Sequence, residues 1–283
     1  MRSKPSALKF TKMHALGNDF VVIDAITQEV EMTAARAKKL ANRYTGIGCD
    51  QILLVEPPSN PDIDFGYRIF NQDGSEVDQC GNGARCFAKY VRDRKLTGKD
   101  RISVETRAGV MELCINPDHS YSVALGTPNF ELDQVPFTPE IPVSGSLQSL
   151  IIGDETFDFF ALSIGNPHAV ILVESTQDAE VERIGALLQE HSSFPESVNV
   201  GFMEIINRTE VRLRVFERGV GETMACGSGA CAAIVAGINN DLLDSAATVN
   251  LTLGKLSIEW SGAGQPTVLT GPATTVFQGH TRL

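Results

Sequence analysis

Two short cysteine–glycine stretches carry the residue types best suited to chemistry in this chain of 283 residues. The first, CGNGARC, begins at Cys80, and the second, CGSGAC, begins at Cys226. Each stretch leads into an apolar, helix-like run, so each cysteine is predicted at the N-terminus of a helix. Unpaired amides and the helix dipole stabilise negative charge there, which lowers the pKa of a thiol and favours a bound carboxylate. The glycines keep side chains away from those amides.

Two such thiols suggest proton transfer at a carbon atom. One thiolate can remove the proton next to a small carboxylate while a thiol on the opposite face returns one, and the stereocentre then inverts. Amides directed at the carboxylate oxygens would stabilise the carbanion-like intermediate. The residues alone therefore predict a racemase or epimerase in which two helix N-termini face each other across a cleft.

The two motifs belong to a longer internal duplication. Four separate segments recur in the same order and at nearly constant spacing, which a chance match would not produce. The matched positions are Asn18 with Asn166, Gln51 with Asn199, Phe70 with Phe216, Asn71 with Glu217, Glu76 with Glu222 and Cys80 with Cys226. One structural unit is therefore expected twice.

The elements that must position the cysteines are short strands and a few helices. Strands are predicted at 21–24, 52–56, 67–71, 170–173 and 212–217, and helices at 34–44, at 184–190 and after each cysteine motif. The strands gather in runs, which favours an α+β fold. The helix after Cys226 is apolar nearly all round, so it should be buried within a sheet. The proline-rich stretch 127–145 is predicted to connect two lobes.

Composition excludes several functional classes. The formal net charge is -11, which disfavours binding to nucleic acids and anionic membranes. No apolar run approaches the roughly 20 residues of a membrane span, and we find no signal peptide. In a chain of this size the six cysteines are expected to be reduced, which favours the cytoplasm.

Other motif classes are absent or incomplete. No C-x2-C pair or HExxH motif suggests a metal site, and neither glycine motif has the third glycine of a dinucleotide fingerprint. Cys86 and Cys231 fall inside predicted helices and are expected to be packing residues. His168 lies in a duplicated segment, so it is either a structural histidine or a residue of the site. Cys49 and Cys114 have no duplicate partners and no assigned role.

Polar residues recur beside the predicted site. Asn18, Asn71, Asn166 and Asn199 lie in duplicated segments near strand ends, where amides could bind an ammonium and a carboxylate group together. Glu217 and Arg218 add one charge of each sign, which suits the zwitterionic head group of an amino acid. Their alternative roles are local turn hydrogen bonds and an exposed ion pair.

Six stretches resemble diaminopimelate epimerases, namely HALGNDFVVID, GIGCDQILLVE, FNQDGSEVDQCGNGARCFA, GNPHAVILV, PESVNVGFM and ERGVGETMACGSGACAA. The resemblance implies a cofactor-independent isomerase that interconverts LL- and meso-2,6-diaminoheptanedioate in lysine biosynthesis and supplies a peptidoglycan precursor. It also implies two similar lobes, each a mixed or antiparallel sheet rolled around a central helix, with the active site in the cleft between them. The expected lobes are 1–126 with 272–283, carrying Cys80, and 127–271, carrying Cys226.

The resemblance implies a role for each matched residue. Cys80 and Cys226 correspond to the two acid/base cysteines, and His168 and Glu217 to residues that tune them. The implied substrate contacts are Asn18, Gln51, Asn71, Asn166, Asn199, Glu217 and Arg218, with Gly81-Asn82 and Gly227-Ser228 as carboxylate cradles. The family binds no metal in this site and is commonly a homodimer. Ala15 departs from the family pattern, which more often has glycine there, and a small effect is expected.

Rival functions stay open at this point. Another two-cysteine racemase, similar to proline racemase, would share the thiols, but the asparagines and the Glu217-Arg218 pair favour a second amino-acid head group. A thiol redox or metal-binding protein would use Cys80 and Cys226 in a disulfide or as ligands. A binding protein without activity is the third alternative, which the retention of both cysteines disfavours.

Overall fold

The computed structural model describes residues 7–140 and 146–282 of the chain. It divides into two compact units, of which unit 1 comprises Met1–Val123 and Gly271–Leu283, and unit 2 comprises Ala124–Thr270. Unit 1 is therefore assembled from both ends of the sequence. Within the described ranges, no helix is both long enough and apolar enough to cross a membrane.

Unit 1 consists of short runs of strands separated by two helices. Its elements are β1 (Leu8–Ala15), β2 (Asn18–Asp24), α1 (Ala34–Ala41), β3 (Gln51–Glu56), β4 (Phe65–Asn71), β5 (Glu76–Val77), α2 (Gly81–Asp93), β6 (Arg101–Thr106), β7 (Gly109–Ile115), β8 (Tyr121–Leu125) and β18 (Thr274–Thr281). Thr33 caps α1 by accepting a hydrogen bond from the backbone of Arg36. The sequence predicted a longer first helix, to residue 44, but Tyr44 is almost fully exposed and has no packing to extend it.

Unit 2 repeats this succession. Its elements are β9 (Leu147–Ile152), β10 (Glu155–Ser163), β11 (Pro167–Leu172), α3 (Val181–Glu190), β12 (Asn199–Asn207), β13 (Glu210–Glu217), β14 (Gly221–Thr223), α4 (Gly227–Asn239), β15 (Ala246–Leu251), β16 (Gly254–Glu259) and β17 (Thr267–Gly271). Helix α3 begins before the predicted residue 184, because Val181 is buried and anchors an additional turn.

Both units pair their strands in the same order. Unit 1 runs β18-β1-β2-β3-β4-β6-β7-β8, and unit 2 runs β9-β10-β11-β12-β13-β15-β16-β17. The parallel pairs also match, since β2–β3 and β4–β6 correspond to β11–β12 and β13–β15. The fold is α+β with a duplicated mixed sheet, as the sequence predicted.

Register agrees at the level of single residues. Phe20 lies opposite Gln51 in unit 1, and their matched positions, His168 and Asn199, lie opposite each other in unit 2. The short strand before each cysteine repeats as well, because Phe70 pairs with Glu76 and Phe216 pairs with Glu222. The duplication read from the sequence is therefore present in the backbone pairing.

Each sheet is covered by helices on both faces. In unit 1, Phe20 and Leu53 lie beneath α2, whereas Val21 and Ile52 belong to the apolar cluster with α1. Alternation along β2 and β3 produces these two layers, since successive side chains point to opposite faces. Helix α2 thus sits against a surface built by consecutive strands.

Helix α4 of unit 2 is the most enclosed element of that unit. Residues Ala230 to Ala236 are all buried, and the helix contacts β10, β11, β12, β13, β15 and β16. This confirms the prediction that an all-apolar helix would be wrapped by sheet. Cys86 on α2 and Cys231 on α4 are fully buried, which confirms them as packing residues.

The proline-rich stretch follows the boundary between the two units, which lies between Val123 and Ala124. Its described part, 127–140, belongs to unit 2, where Val135 and Phe137 are buried in one core cluster with Phe159 and Phe194. The stretch keeps the turns that its prolines favour, but its apolar side chains pack into the core. Residues 141–145 lie outside the described residues.

Candidate active site

In unit 1, Cys80 is the N-cap residue of α2. Its backbone is extended, and its Sγ accepts a hydrogen bond from the amide of Gly83 at 3.4 Å. Gly81 and Asn82 form the start of the helix, where amides lack intrahelical partners. The side chain of Cys80 is partly exposed. The predicted placement of this thiol at a helix N-terminus is confirmed.

Close approach between α2 and the sheet depends on Gly83. A Cβ atom there would lie 2.4 Å from the hydroxyl oxygen of Tyr67 and 3.2 Å from a methyl group of Leu53. Tyr67 is fixed by packing on Phe87 and donates a hydrogen bond to the carbonyl of Cys80 at 3.5 Å. Burial raises its pKa well above 10, so the hydroxyl stays a donor.

The remaining unit 1 candidates form two hydrogen-bonded pairs. Asn82 donates to Asn18 Oδ1 at 3.2 Å, and Gln51 donates to Asn71 Oδ1 at 2.9 Å. Asn18 and Asn82 join the start of β2 to the start of α2, and Gln51 and Asn71 face each other across β3 and β4. Among the described residues, Gln51 Oε1 is a buried oxygen without a hydrogen-bond partner.

In unit 2, Cys226 is the N-cap residue of α4 and repeats the geometry of unit 1. Its Sγ accepts from the amide of Gly229 at 3.4 Å and lies 3.6 Å from Ser228 Oγ. The residue is only 4% exposed. The second thiol therefore also occupies the position predicted from the sequence.

The pKa of Cys226 differs from the sequence-based expectation. Burial raises it well above 9, and the neighbouring carboxylate of Glu217 raises it further, whereas hydrogen bonds from Ser228 and Gly229 lower it. The expected lowering of the pKa at a helix N-terminus is therefore wrong for this thiol. Burial and the like charge of Glu217 outweigh the two hydrogen bonds that lower the pKa.

His168 is linked to Cys226 indirectly, through other side chains. It is fully buried, and its Nε2 lies 3.0 Å from Asn166 Oδ1. Burial and the charge of Arg218 lower its pKa to about 3, so the imidazole is neutral at physiological pH. Because Asn166 in turn donates to Ser228 Oγ at 3.4 Å, His168 is linked to Cys226 through two intervening side chains.

Asn199, Glu217 and Arg218 line the same end of unit 2. Asn199 Oδ1 accepts from the amide of Arg218 at 3.0 Å, while its Nδ2 donates to the carbonyl of Pro167 at 3.1 Å. Glu217 accepts a short hydrogen bond from Thr223. The Arg218 guanidinium is exposed and donates to the carbonyl of Glu196 at 2.9 Å.

The structure thus gathers the predicted residues into one cluster in each unit. The unit 1 cluster contains Asn18, Gln51, Asn71, Cys80, Gly81 and Asn82, and the unit 2 cluster contains Asn166, His168, Asn199, Glu217, Arg218, Cys226, Gly227 and Ser228. Cys49 is buried in the apolar cluster with α1, and burial raises its pKa to about 12.

Sequence reasoning missed two polar residues that hold the unit 1 cluster. Asp50 accepts from Asn18 Nδ2 at 3.0 Å, and the buried Arg85 donates to Asn82 Oδ1 at 3.0 Å. A signal for Arg85 was available, since an arginine near the start of a largely buried helix must satisfy its charge internally. Asp50 was adjacent to Gln51, but nothing local indicates its partner.

Comparison with known proteins assigns the family. A family model described as diaminopimelate epimerase matches residues 10–131 and 160–276. This chain belongs to the diaminopimelate epimerase family. The family prediction made from the sequence motifs is therefore confirmed.

Curated members of the diaminopimelate epimerase family match this chain along nearly its whole length. The diaminopimelate epimerase of Teredinibacter turnerae is 54% identical over 281 residues, covering 98% of this chain and 99% of the relative. The diaminopimelate epimerase of Azotobacter vinelandii is 53% identical over 276 residues, with the same coverage.

Solved structures show how widely the fold of this family is used. A hydroxyproline epimerase from Agrobacterium vitis has a TM-score of 0.70 at 14% identity, covering 100% of this chain and 94% of that chain. A phenazine biosynthesis protein of the PhzF family from Bacillus anthracis has a TM-score of 0.69 at 16% identity, covering 98% and 100%. At such low identity these likenesses show the fold alone.

Proposed function

We propose that this chain is a diaminopimelate epimerase, an isomerase that interconverts LL- and meso-2,6-diaminoheptanedioate in lysine and peptidoglycan precursor biosynthesis. The observation that carries the proposal is the pair of N-cap thiols, Cys80 and Cys226, at matched positions of a duplicated fold in a chain that belongs to this family. Neither step of the chemistry below requires a cofactor.

We assign the two proton transfers to Cys80 and Cys226. One thiolate accepts the α-proton, so that the C–H bond breaks and its electron pair remains on the substrate as a planar carbanion. The other thiol then donates its proton to the opposite face, which forms the new C–H bond and inverts the centre. The thiol and thiolate exchange roles in each turnover, and the return reaction restores them.

The helix N-termini supply the electrostatic part of this mechanism. Amides at Gly81-Asn82 and Gly227-Ser228 lie in the first turns of α2 and α4, where the helix dipole favours a carboxylate. As the α-carbon becomes carbanion-like, negative charge spreads onto that carboxylate. Donors already directed at it need no reorganisation, so they stabilise the transition state more than the ground state.

The polar residues of each cluster suit the two amino-acid head groups of the substrate. The buried oxygen of Gln51 lacks a partner among the described residues, which makes it a ready acceptor for an ammonium group. Glu217 and Arg218 offer one charge of each sign. Asn18, Asn71, Asn166 and Asn199 can each donate and accept. We therefore assign all of these residues to substrate binding.

Glu217 has a second proposed role, which follows from its effect on Cys226. In the ligand-free protein its charge helps to keep the thiol protonated, so Cys226 can serve at once as a proton donor. To act as base, Cys226 must lose that proton. A substrate ammonium beside Glu217 would offset the carboxylate charge and lower the thiol pKa. His168, linked through Asn166 and Ser228, orients the hydroxyl that faces the sulfur.

Two further assignments complete the proposal. Thiols that must stay reduced suit the cytoplasm.

By analogy with the family resemblance, we propose a homodimer, and apolar side chains on β18 provide suitable surface, since Val276 is 55% and Phe277 48% exposed. Light scattering coupled to gel filtration tests the dimer, and a monomeric mass at micromolar concentration would contradict it.

The decisive experiment is NMR of LL-diaminopimelate incubated with the reduced protein in D2O. We expect the meso isomer to appear with deuterium at the inverted α-carbon, because the donating thiol exchanges with solvent. Failure of the folded, reduced protein to convert the substrate would overturn the assignment. Proline and hydroxyproline would serve as control substrates, and turnover of either one alone would favour the racemase alternative.

A further inference from the structure

In unit 1, a chain of hydrogen bonds passes through Asn18 at the start of β2 and Asn82 at the start of α2. Both asparagines are predicted to bind the substrate. Arg85 Nη2 donates to Asn82 Oδ1 at 3.0 Å, Asn82 Nδ2 donates to Asn18 Oδ1 at 3.2 Å, and Asn18 Nδ2 donates to Asp50 Oδ2 at 3.0 Å. The four side chains come from three segments of unit 1, since Asn82 and Arg85 both lie on α2, Asn18 starts β2 and Asp50 precedes β3, and every bond in the chain runs in the same direction.

The two ends of this chain have fixed polarity. A guanidinium group has only donors, and an ionised carboxylate has only acceptors. Asn82 must therefore present its oxygen to Arg85, which directs its NH2 group at Asn18. In the same way, Asn18 must present its NH2 group to Asp50. An isolated asparagine could take either orientation. In this chain of hydrogen bonds, Arg85 alone or Asp50 alone is enough to fix the orientation of both asparagines.

Both ends are themselves held in place. Arg85 is 1% exposed and also donates to the carbonyls of Pro272 at 3.2 Å and Gly81 at 3.5 Å. Asp50 accepts from Arg43 at 2.6 Å and from the amide of Asp19 at 3.0 Å. Burying a guanidinium is costly unless its donors are used. Its presence here indicates a purpose beyond packing.

Unit 2 has a different series of hydrogen bonds near its cysteine. The positions matched to Arg85 and Asp50 are Cys231 and Val198, which can fix no amide orientation. There the hydrogen bonds run from His168 through Asn166 and Ser228 to the sulfur of Cys226. The unit 1 chain ends on a carboxylate instead, so it orients amides without passing through the thiol.

We propose that Arg85 and Asp50 are positioning residues for substrate recognition, which together fix the orientation of the Asn18 and Asn82 amides. The proposal rests on the proposed function, because Asn18 and Asn82 are assigned to the substrate there. With these orientations set before binding, the donor and acceptor sites left over on the two amides are pre-arranged for one head group. Arg85 and Asp50 act through the asparagines and touch no reacting atom.

A double-mutant cycle tests this directly. Arg85→Gln and Asp50→Asn each replace an end of fixed polarity by an amide that can donate or accept. In either single variant the other end still dictates the direction, so KM should rise only about threefold, as for one weakened hydrogen bond. In the double variant neither end of the hydrogen-bond chain has fixed polarity, and KM should rise by more than the product of the single effects, on the order of 30-fold or more. The kcat should change much less, because these contacts bind ground state and transition state alike.

The matched control is a contacting pair on the surface of the same unit. Arg92 on α2 forms an ion pair with Asp100 at 2.5 Å, and neither residue belongs to the series of hydrogen bonds from Arg85 to Asp50. Arg92→Gln, Asp100→Asn and their double variant should leave KM unchanged. KM effects that are merely multiplicative in the Arg85/Asp50 cycle, or that accompany only a lower melting temperature, would overturn the proposal.

Side-chain amide NMR separates this proposal from the proposed function, because it requires no turnover. In the wild-type protein and both single variants, Asn18 and Asn82 should each give one set of NH2 signals. The double variant should give a second set, from the reversed chain. A single unshifted set in the double variant contradicts the orienting role, whether or not diaminopimelate is a substrate.

Discussion

The two thiol clusters share their backbone arrangement and differ in the burial of the sulfur and in the charge beside it. Cys80 and Cys226 cap matched helices with the same hydrogen bond to the third helical residue. Cys80 is partly exposed, however, whereas Cys226 is buried beside the carboxylate of Glu217. The two units therefore share the placement of the thiol and differ in its exposure and in the charge beside it. A reaction that needs one base and one acid benefits from that division.

The largest expected effect tests whether both clusters are needed. Cys80→Ser and Cys226→Ser should each lower kcat by about 10³-fold or more, because a hydroxyl cannot replace a thiol as a base near neutral pH. Steady-state assays in both directions measure this. Cys114→Ser, at a partly exposed cysteine outside both clusters, is the control and should keep wild-type activity. Substantial turnover by Cys80→Ser or Cys226→Ser would contradict the proposal that both thiols transfer protons.

The next largest effect concerns the difference in reactivity between Cys80 and Cys226. At pH 8 iodoacetamide should modify Cys80 at least about tenfold faster than Cys226, because reactivity follows thiolate fraction and access. Peptide-resolved mass spectrometry gives both rates in one sample. Glu217→Gln should narrow the gap, since it removes the charge that raises the pKa of Cys226. Equal rates in the wild-type protein would show that the two thiols do not differ as described.

A smaller effect concerns the neutral histidine of unit 2. Its folded pKa of about 3 lies below the usual 6.5, so the unfolded chain binds more protons between those values. Stability should therefore fall as pH drops below 6.5, by roughly 2 kcal/mol at pH 5 relative to pH 7. His168→Phe, which installs the residue found at the matched position 20, should remove this contribution in urea titrations at pH 5 to 7.5.

The control for that titration is the exposed His119. His119 occupies a turn with φ of 65°, a conformation that asparagine tolerates, so His119→Asn should keep the wild-type pH dependence. If His168→Phe also keeps it, protonation of His168 does not contribute to acid destabilisation.

Patterns that repeat along the chain were the predictable part of this fold. The duplication, the N-cap position of both cysteines and the buried helix after Cys226 followed from periodicity and from matched segments. Local patterns were sufficient because a helix N-terminus and an apolar helix are set by adjacent residues. The same matches correctly indicated the α+β class.

Effects that arise between distant segments were not predictable in this way. The raised pKa of Cys226 depends on burial and on Glu217, which lies at the end of β13. The packing of Val135 and Phe137 into the core of unit 2 was not indicated by the proline-rich loop that carries them. Arg85 and Asp50 are joined only through two asparagines, and no local pattern connects residues that far apart.

The return of β18 to unit 1 affects the order in which the protein can fold during synthesis. Strand β18 pairs with β1 in unit 1 in the same way that β9 pairs with β10 in unit 2. Unit 2 is continuous in sequence, so a ribosome releases all of it before Thr274–Thr281 emerges. Although domains usually complete their folding from the N-terminus onward, here the unit that starts first must wait for β18, with the edge of β1 left open until that strand emerges.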